Sequence, residues 1–175
     1  MKKFLLMILV FCLAVIPAAV SLAEGPVTEY ENELFSVTLP EGTWYKNILS
    51  DGNVTFDGNP HGFIDDGRIY ITVTDYDLGN DEAILQMMYD GMRDMYAAGA
   101  VENKIEEEEC EIGGIPSRLF TFKKLLTEKP IVSNFIIYDK YMIEIKYEHP
   151  GKTEEELKEV VLFMSAALKF KGDHE

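Results

Sequence analysis

Residues 133–139 read SNFIIYD and carry apolar or aromatic side chains at both parities. Phe135 and Ile137 fall on one side, Ile136 and Tyr138 on the other. Successive side chains of a strand point to opposite faces of its sheet. A strand of this kind is therefore covered on both faces, and the rest of the chain has to supply two covers. Two segments have the helical period needed. In residues 80–99, Ile84, Leu85, Met88, Met92, Met95 and Tyr96 recur at helical spacing, Asn80 or Asp81 stands as N-cap, and Gly99 is the stop. Gly91 inside this helix costs about 1 kcal/mol relative to Ala, so close packing on a sheet is the expected reason for it. In residues 153–168, Thr153 and Glu156 fit a capping box, and Leu157, Val160, Val161, Met164 and Leu168 form one stripe.

The remaining blocks read as strands. Phe35, Val37 and Leu39 alternate with polar residues, residues 53–56 form a second run, and Ile69, Ile71 and Val73 mark a third at 68–76. A short segment begins at Trp44 and Tyr45. After the first helix come runs at 101–112, 115–126, 131–138 and 141–148. Gly113-Gly114 and Asp139-Lys140 are two-residue hairpin loops, which make their flanking strands antiparallel. Gly113-Gly114 is not a phosphate loop. Such a loop opens a helix, whereas IPSRLFTF is strand-like, begins with Pro116 near its start, and has no Lys-Ser/Thr after the glycines. The expected fold class is α+β: an antiparallel sheet with helices packed on it, an α/β/α sandwich of order βββαββββα.

The N-terminus sets what counts as the folded unit. Lys2 and Lys3 precede an apolar run from Phe4 to Ile16, Pro17 breaks it, and Ser21 and Ala23 are the small residues of a cleavage site. Residues 1–23 thus read as a secretory signal peptide cut between Ala23 and Glu24, with an uncleaved anchor as the alternative. Bulky Phe11 before Cys12 argues against lipid attachment. Residues 24–170 are expected as one domain, with 171–175 as a frayed tail. Removal of Lys2 and Lys3 makes a formal charge of −15 more negative by two, a surface that repels nucleic acid and anionic membranes. Cys110 is then the only cysteine, so no internal disulfide holds the fold.

Two stretches carry a resemblance. ENELFSVTLPEGTW at 31–44 and EEECEIGGIPSRLFTFKK at 107–124 resemble the phrases that open the domain and form the central hairpin in small exported bacterial domains of the Mog1/PsbP-like fold. The resemblance spans roughly residues 29–170. It implies a non-enzymatic α/β/α sandwich used for binding or assembly, in a family that includes proteins of nuclear transport, photosystem assembly and the envelope. The matched positions form turns and core, so no functional residue carries over.

Candidate chemistry is sparse. Asp75, Asp77, Gly79 and Asp81 space oxygens like a calcium loop, but Asn80 stands where the turn needs Gly and Gln86 where the site needs Glu. Loop 57–68 (DGNPHGFIDDGR) gathers His61, Asp65, Asp66 and Arg68, a set able to bind a transition metal or act as a base, or simply to be a polar surface. Met88, Met92 and Met95 read as core filling rather than copper ligands. Glu106 to Glu109 with Glu111 read as a solvated edge strand, and these acids disfavour the Cys110 thiolate. The expected function is an exported, non-enzymatic binding or accessory protein of the cell envelope or exterior, a monomer acting by protein contact, without cofactor, metal or catalytic residues. No nucleic acid and no stable membrane insertion after cleavage are expected. The expected partner surface is Trp44, Tyr45, His61, Asp65 and Arg68, since Trp and Tyr are interface anchors, although Trp44 equally suits the core. The alternatives are a small-ligand carrier, or a hydrolase or metal-dependent enzyme using the 57–68 loop.

Overall fold

Every residue from Ile131 to Ile137 is buried, so the strand that contains them has a cover on each side. The computed structural model describes residues 26–49, 53–59, 66–75 and 82–171. Its elements are β1 (Glu29–Glu31), β2 (Phe35–Thr38), β3 (Tyr45–Ile48), β4 (Val54–Asp57), β5 (Arg68–Asp75), α1 (Glu82–Gly99), β6 (Ala100–Ile112), β7 (Ile115–Lys124), β8 (Pro130–Tyr138), β9 (Tyr141–Glu148), α2 (Glu154–Ala166) and β10 (Lys169–Phe170). Seven strands form one antiparallel sheet in the order β3-β4-β5-β9-β8-β7-β6, and β1-β2-β10 form a second, small one.

The two helices cover opposite faces of the large sheet. Leu157, Val161 and Met164 of α2 pack with Leu119, Val132, Ile136, Ile143 and Ile145, and this core extends to Phe35 and Val37 of β2. Tyr89 and Tyr96 of α1 pack on the other parity of β7 and β8: Phe120, Phe122, Phe135 and Ile137. The Tyr96 ring lies 4.6 Å from Phe122, 5.9 Å from Phe120 and 5.8 Å from Phe135, centroid to centroid. The α+β class and the α/β/α layering therefore hold.

Two buried polar residues in the middle of β8 tie it to the helices. Tyr96 and Ser133 hydroxyls meet at 3.2 Å, and both donate to the Glu144 carboxylate, Ser133 at 2.9 Å. On the other face the Asn134 amide donates to Ser165 Oγ at 2.9 Å, and Ser165 donates to Val161 O at 2.7 Å.

The strand count differs from the expectation before and after the helices. The additional strands β1 and β10 are three and two residues long, too short for alternation to register, and β3 forms in the short segment that begins at Trp44 and Tyr45. β2 pairs with β1 and β10 rather than joining the large sheet. The Lys171 amide donates to Leu34 O at 2.7 Å. Two readings of α1 are corrected. Met95 is 55% exposed, because the buried stripe runs through Tyr89 and Tyr96 and turns Met95 outward. Gly91 is exposed, and a Cβ there would meet nothing within 4 Å, so no close packing accounts for it. The Asn80/Asp81 cap and the leader fall outside the described residues.

Both two-residue hairpins form. Gly113 and Gly114 have φ of 59° and 87°, the left-handed conformations such a loop requires. Glu106 to Glu109 lie on β6, an edge strand, and three of them are paired: Glu107 with Arg93 and Arg118, Glu109 with Arg118, Glu108 with Lys158. At the start of α2 both halves of the capping box are made, Glu156 N to Thr153 Oγ1 at 3.3 Å and Thr153 N to Glu156 Oε2 at 2.8 Å.

Two predictions follow from these local structures. A Cβ at Gly113 or Gly114 meets no atom within 4 Å, so substitution to Ala costs backbone strain alone, about 1–2 kcal/mol at each position by urea unfolding. The Thr153 amide and hydroxyl hold the Glu156 carboxyl below its ordinary range. A depressed folded-state pKa stabilises at pH values above the unfolded pKa, and the effect fades as pH falls through the folded value. Thr153→Ala therefore lowers Tm at neutral pH, and the gap to wild type narrows as pH drops below the ordinary carboxylate range, read by thermal melts across pH 2–7 as about a few degrees at its widest.

Candidate functional site

Helix α1 packs on the β6–β8 half of its sheet face and reaches β9 only at Met142 and Glu144. Across β9, β5, β4 and β3 the same face carries Lys146 and Glu148, Arg68 and Tyr70, Thr55 and Asp57, then Tyr45 and Asn47. Their register brings them together: Tyr70 stands opposite both Thr55 and Lys146, Arg68 opposite both Asp57 and Glu148, and Tyr45 opposite Asp57. This half of the face sets polar residues over the Val54, Phe56, Ile69, Ile71, Ile143 and Ile145 core beneath it, and on β4 the polar residues Thr55 and Asp57 are themselves buried.

At its centre Asp57 is 1% exposed. The Arg68 Nε donates to Asp57 Oδ1, and the Asn47 amide donates to Oδ2 at 2.5 Å. Burial works to lower the Arg68 pKa, but Asp57 and Tyr70 outweigh it and raise the value further. The guanidinium carbon lies 5.8 Å from the Tyr70 ring centroid and Lys146 Nζ 4.3 Å from it, so one ring contacts two cations. Lys146 also reaches Glu148 at 3.9 Å. Burial first, then the Glu148 charge, pushes the Tyr70 phenol up, which keeps it a neutral hydrogen-bonding group. A buried carboxylate held by a guanidinium and an amide is committed to that pairing and is a poor general base. Cation–aromatic contacts spread over a sheet face suit recognition of another surface.

Of the residues singled out from sequence, Tyr45 and Arg68 meet at this face through Asp57. Trp44 does not contribute to it: the residue is 5% exposed, its indole N–H donates to Pro40 O at 2.9 Å, and its ring packs edge-on against Tyr147 at 6.0 Å. It belongs to the core. His61 and Asp65 lie outside the described residues. Of the calcium-like spacing only Asp75 is described, and it pairs with Lys140 at 3.3 Å. Cys110 is a free thiol whose pKa is pushed up by burial and then by Glu108.

Sequence reasoning missed His149. It is distant along the chain from loop 57–68, yet a Cβ at Gly67 would lie 2.8 Å from His149 Cδ2 and 3.1 Å from the Tyr147 hydroxyl. The β5–β9 register, which pairs Arg68 with Glu148, places the imidazole at the base of that loop. No local signal announces this. His149 Nδ1 accepts from the Gly151 amide at 3.0 Å, and burial followed by Lys152 lowers its pKa, so the ring is neutral at physiological pH. Elsewhere, a groove of about 530 Å³ opens beside β6, where the register shifts between Ala100 and Ile105; Val101, Ile105 and Phe122 floor it, with Glu102, Glu106, Lys123 and Glu154 among its polar lining.

No protein-family model matches the chain, and no curated protein matches its sequence. Among solved structures it is similar to the solution structure of cyanobacterial PsbP (CyanoP) from Synechocystis sp. PCC 6803, with a TM-score of 0.59 and 9% identity, over 89% of this chain and 99% of that one. A crystal structure from Bacteroides thetaiotaomicron VPI-5482 aligns with a TM-score of 0.49 and 16% identity, over 85% of this chain and 50% of that one. The similarity to CyanoP spans nearly all of both chains, and at this identity it speaks to architecture: the chain has the PsbP-like fold.

Proposed function

We propose that this chain is an exported, non-enzymatic accessory protein of the cell envelope or exterior that works by binding another protein through the open half of its sheet. One observation carries the reading: α1 reaches β9 only at Met142 and Glu144 and leaves β5, β4, β3 and the Lys146–Glu148 end of β9 without a helix, and that part of the face presents Tyr45, Tyr70 and Lys146, half-buried, around the closed Asp57–Arg68 pair. Aromatic rings with flanking cations, held on rigid strands, have the composition of an interface centre. The PsbP-like fold supports the accessory role. The leader-like N-terminus supports export, and no described helix is long and apolar enough to cross a membrane.

The test compares capture from the native cell envelope by wild type and by Tyr70→Ala/Lys146→Glu. Neither substitution removes Asp57 or Arg68, but Tyr70 also contacts Arg68, so thermal melts accompany the capture and the comparison is made at a temperature where both proteins are folded. A protein retained by wild type and reduced at least about tenfold by the variant is the expected result. Equal capture by both would remove the face from consideration, and a hydrolytic activity abolished by His61→Ala/Asp65→Ala would replace the reading with an enzymatic one.

A further inference from the structure

A separate surface departs from the acidic character of the chain. The turn between β7 and β8 reads LLTEK at 125–129, and Leu126 is 89% and Leu125 55% exposed. Lys123 and Lys124 end β7 and Lys129 closes the turn just before β8; Glu128 is the one acid within 123–129 in a chain of formal charge −15, while Glu102, Glu106 and Glu154 line the groove beside Lys123. The tip is internally bonded. Leu125 N–H donates to Gly99 O at 2.9 Å, Lys124 N–H to Lys129 O at 2.9 Å, and the amides of Thr127 and Glu128 to Lys124 O at 3.2 and 2.8 Å.

We propose that this tip is a peripheral contact for an anionic lipid surface, with Leu125 and Leu126 entering the acyl boundary while Lys123, Lys124 and Lys129 sit among headgroup phosphates. The order along the chain fits: the apolar pair lies within the turn, with Lys123 and Lys124 before it at the end of β7 and Lys129 after it, next to β8. The amides of Lys124, Leu125, Thr127 and Glu128 already have partners within the protein, as backbone groups near an apolar phase need. The global charge does not prevent the approach. Nearest the tip, Glu102 pairs with Lys104 and Glu154 stands in the groove beside Lys123, and the acidic run of β6 begins at Glu106, which pairs with Thr121, and ends at Glu111, which pairs with Pro116. It therefore starts roughly 10 Å from Lys124 along the ladder and recedes from there. Screening at physiological salt acts over about 8 Å, and Glu107, Glu108 and Glu109 are paired with Arg93, Arg118 and Lys158. A lipid surface also suits the size of the feature. Two leucines and their lysines cover far less than the roughly 800 Å² per partner of a stable protein interface, whereas a bilayer needs no matched socket. Contact of this size is weak and reversible. The proposal uses a different surface from the protein-binding face, so either can fail without the other.

The test places a reporter at the tip of the full chain. Trp44 is the only tryptophan and is buried, so Leu126→Trp adds an exposed indole whose emission reads its own surroundings. Vesicles containing phosphatidylglycerol are expected to shift that emission to the blue, and brominated acyl chains to quench it, whereas pure phosphatidylcholine vesicles have little effect. Adding Lys123→Glu/Lys124→Glu is expected to weaken the response to anionic vesicles at least about tenfold. An indole that stays wet on anionic vesicles, or one that responds equally in the charge-reversed background, overturns the proposal. So does an indole buried by an envelope protein and not by lipid, which would assign the tip to a protein partner.

Discussion

The two-sided burial of β8 governs the rest of the structure. A strand with no solvated face can exist only at the middle of a sheet with a layer on each side, and β8 lies between β9 and β7 in a seven-stranded sheet. Apolar burial alone would tolerate a helix at several positions over such a surface. Ser133 and Asn134 remove that freedom, since each is fully buried, each points to a different face, and each has a partner on a different helix. A buried hydroxyl or amide left unpaired costs about 1–3 kcal/mol. Sliding either helix by a turn would incur that cost, so the adjacent polar residues act as register pins for α1 and α2.

That constraint explains why the architecture was legible in the sequence. The alternation of 68–75, the Gly113-Gly114 and Asp139-Lys140 loops, the Thr153–Glu156 box and the double-parity pattern at 131–138 are local signals, and each matches its element. What was missed is non-local or too short. β1 and β10 are strands because β2 lies between them, and a two-residue strand has no period. Met95 fits a helical stripe by spacing, and only the aromatic pocket of Phe120, Phe122 and Phe135 around Tyr96 fixes the helix phase that turns it outward.

The candidate site was legible only in fragments, for the same reason. Tyr45 and Arg68 were noticed as a surface aromatic and a loop cation. Asp57, which joins them, reads from sequence as the first residue of a loop, and Tyr70, Lys146 and Glu148 as ordinary strand residues. They meet because β4, β5 and β9 are neighbours, and the β5–β9 pairing spans the whole of α1, β6, β7 and β8 in sequence. Trp44 shows the converse. Its composition suggests an interface, but the Pro40 carbonyl gives its N–H a partner inside the fold and Tyr147 gives its ring an edge, so the side chain has no need of solvent.

The distribution of cations is what separates structure from recognition on this surface. With 31 acidic and 16 basic residues, most acids have to remain solvated, and the placement of each cation reflects what its location requires. Arg93, Arg118 and Lys158 neutralise the β6 edge, where an unrelieved run of glutamates would repel along a single strand. Arg68 is used inside the sheet, to make a buried Asp57 tolerable. Lys146 is different, since it stacks on Tyr70 and reaches Glu148 only at 3.9 Å, at the upper limit of an ion pair and outside hydrogen-bond range. Lys123, Lys124 and Lys129 surround leucines that contribute little to the core. An acidic chain that concentrates cations around exposed apolar side chains gains little folding stability from doing so. That placement is what motivates the proposal of a surface outside the molecule.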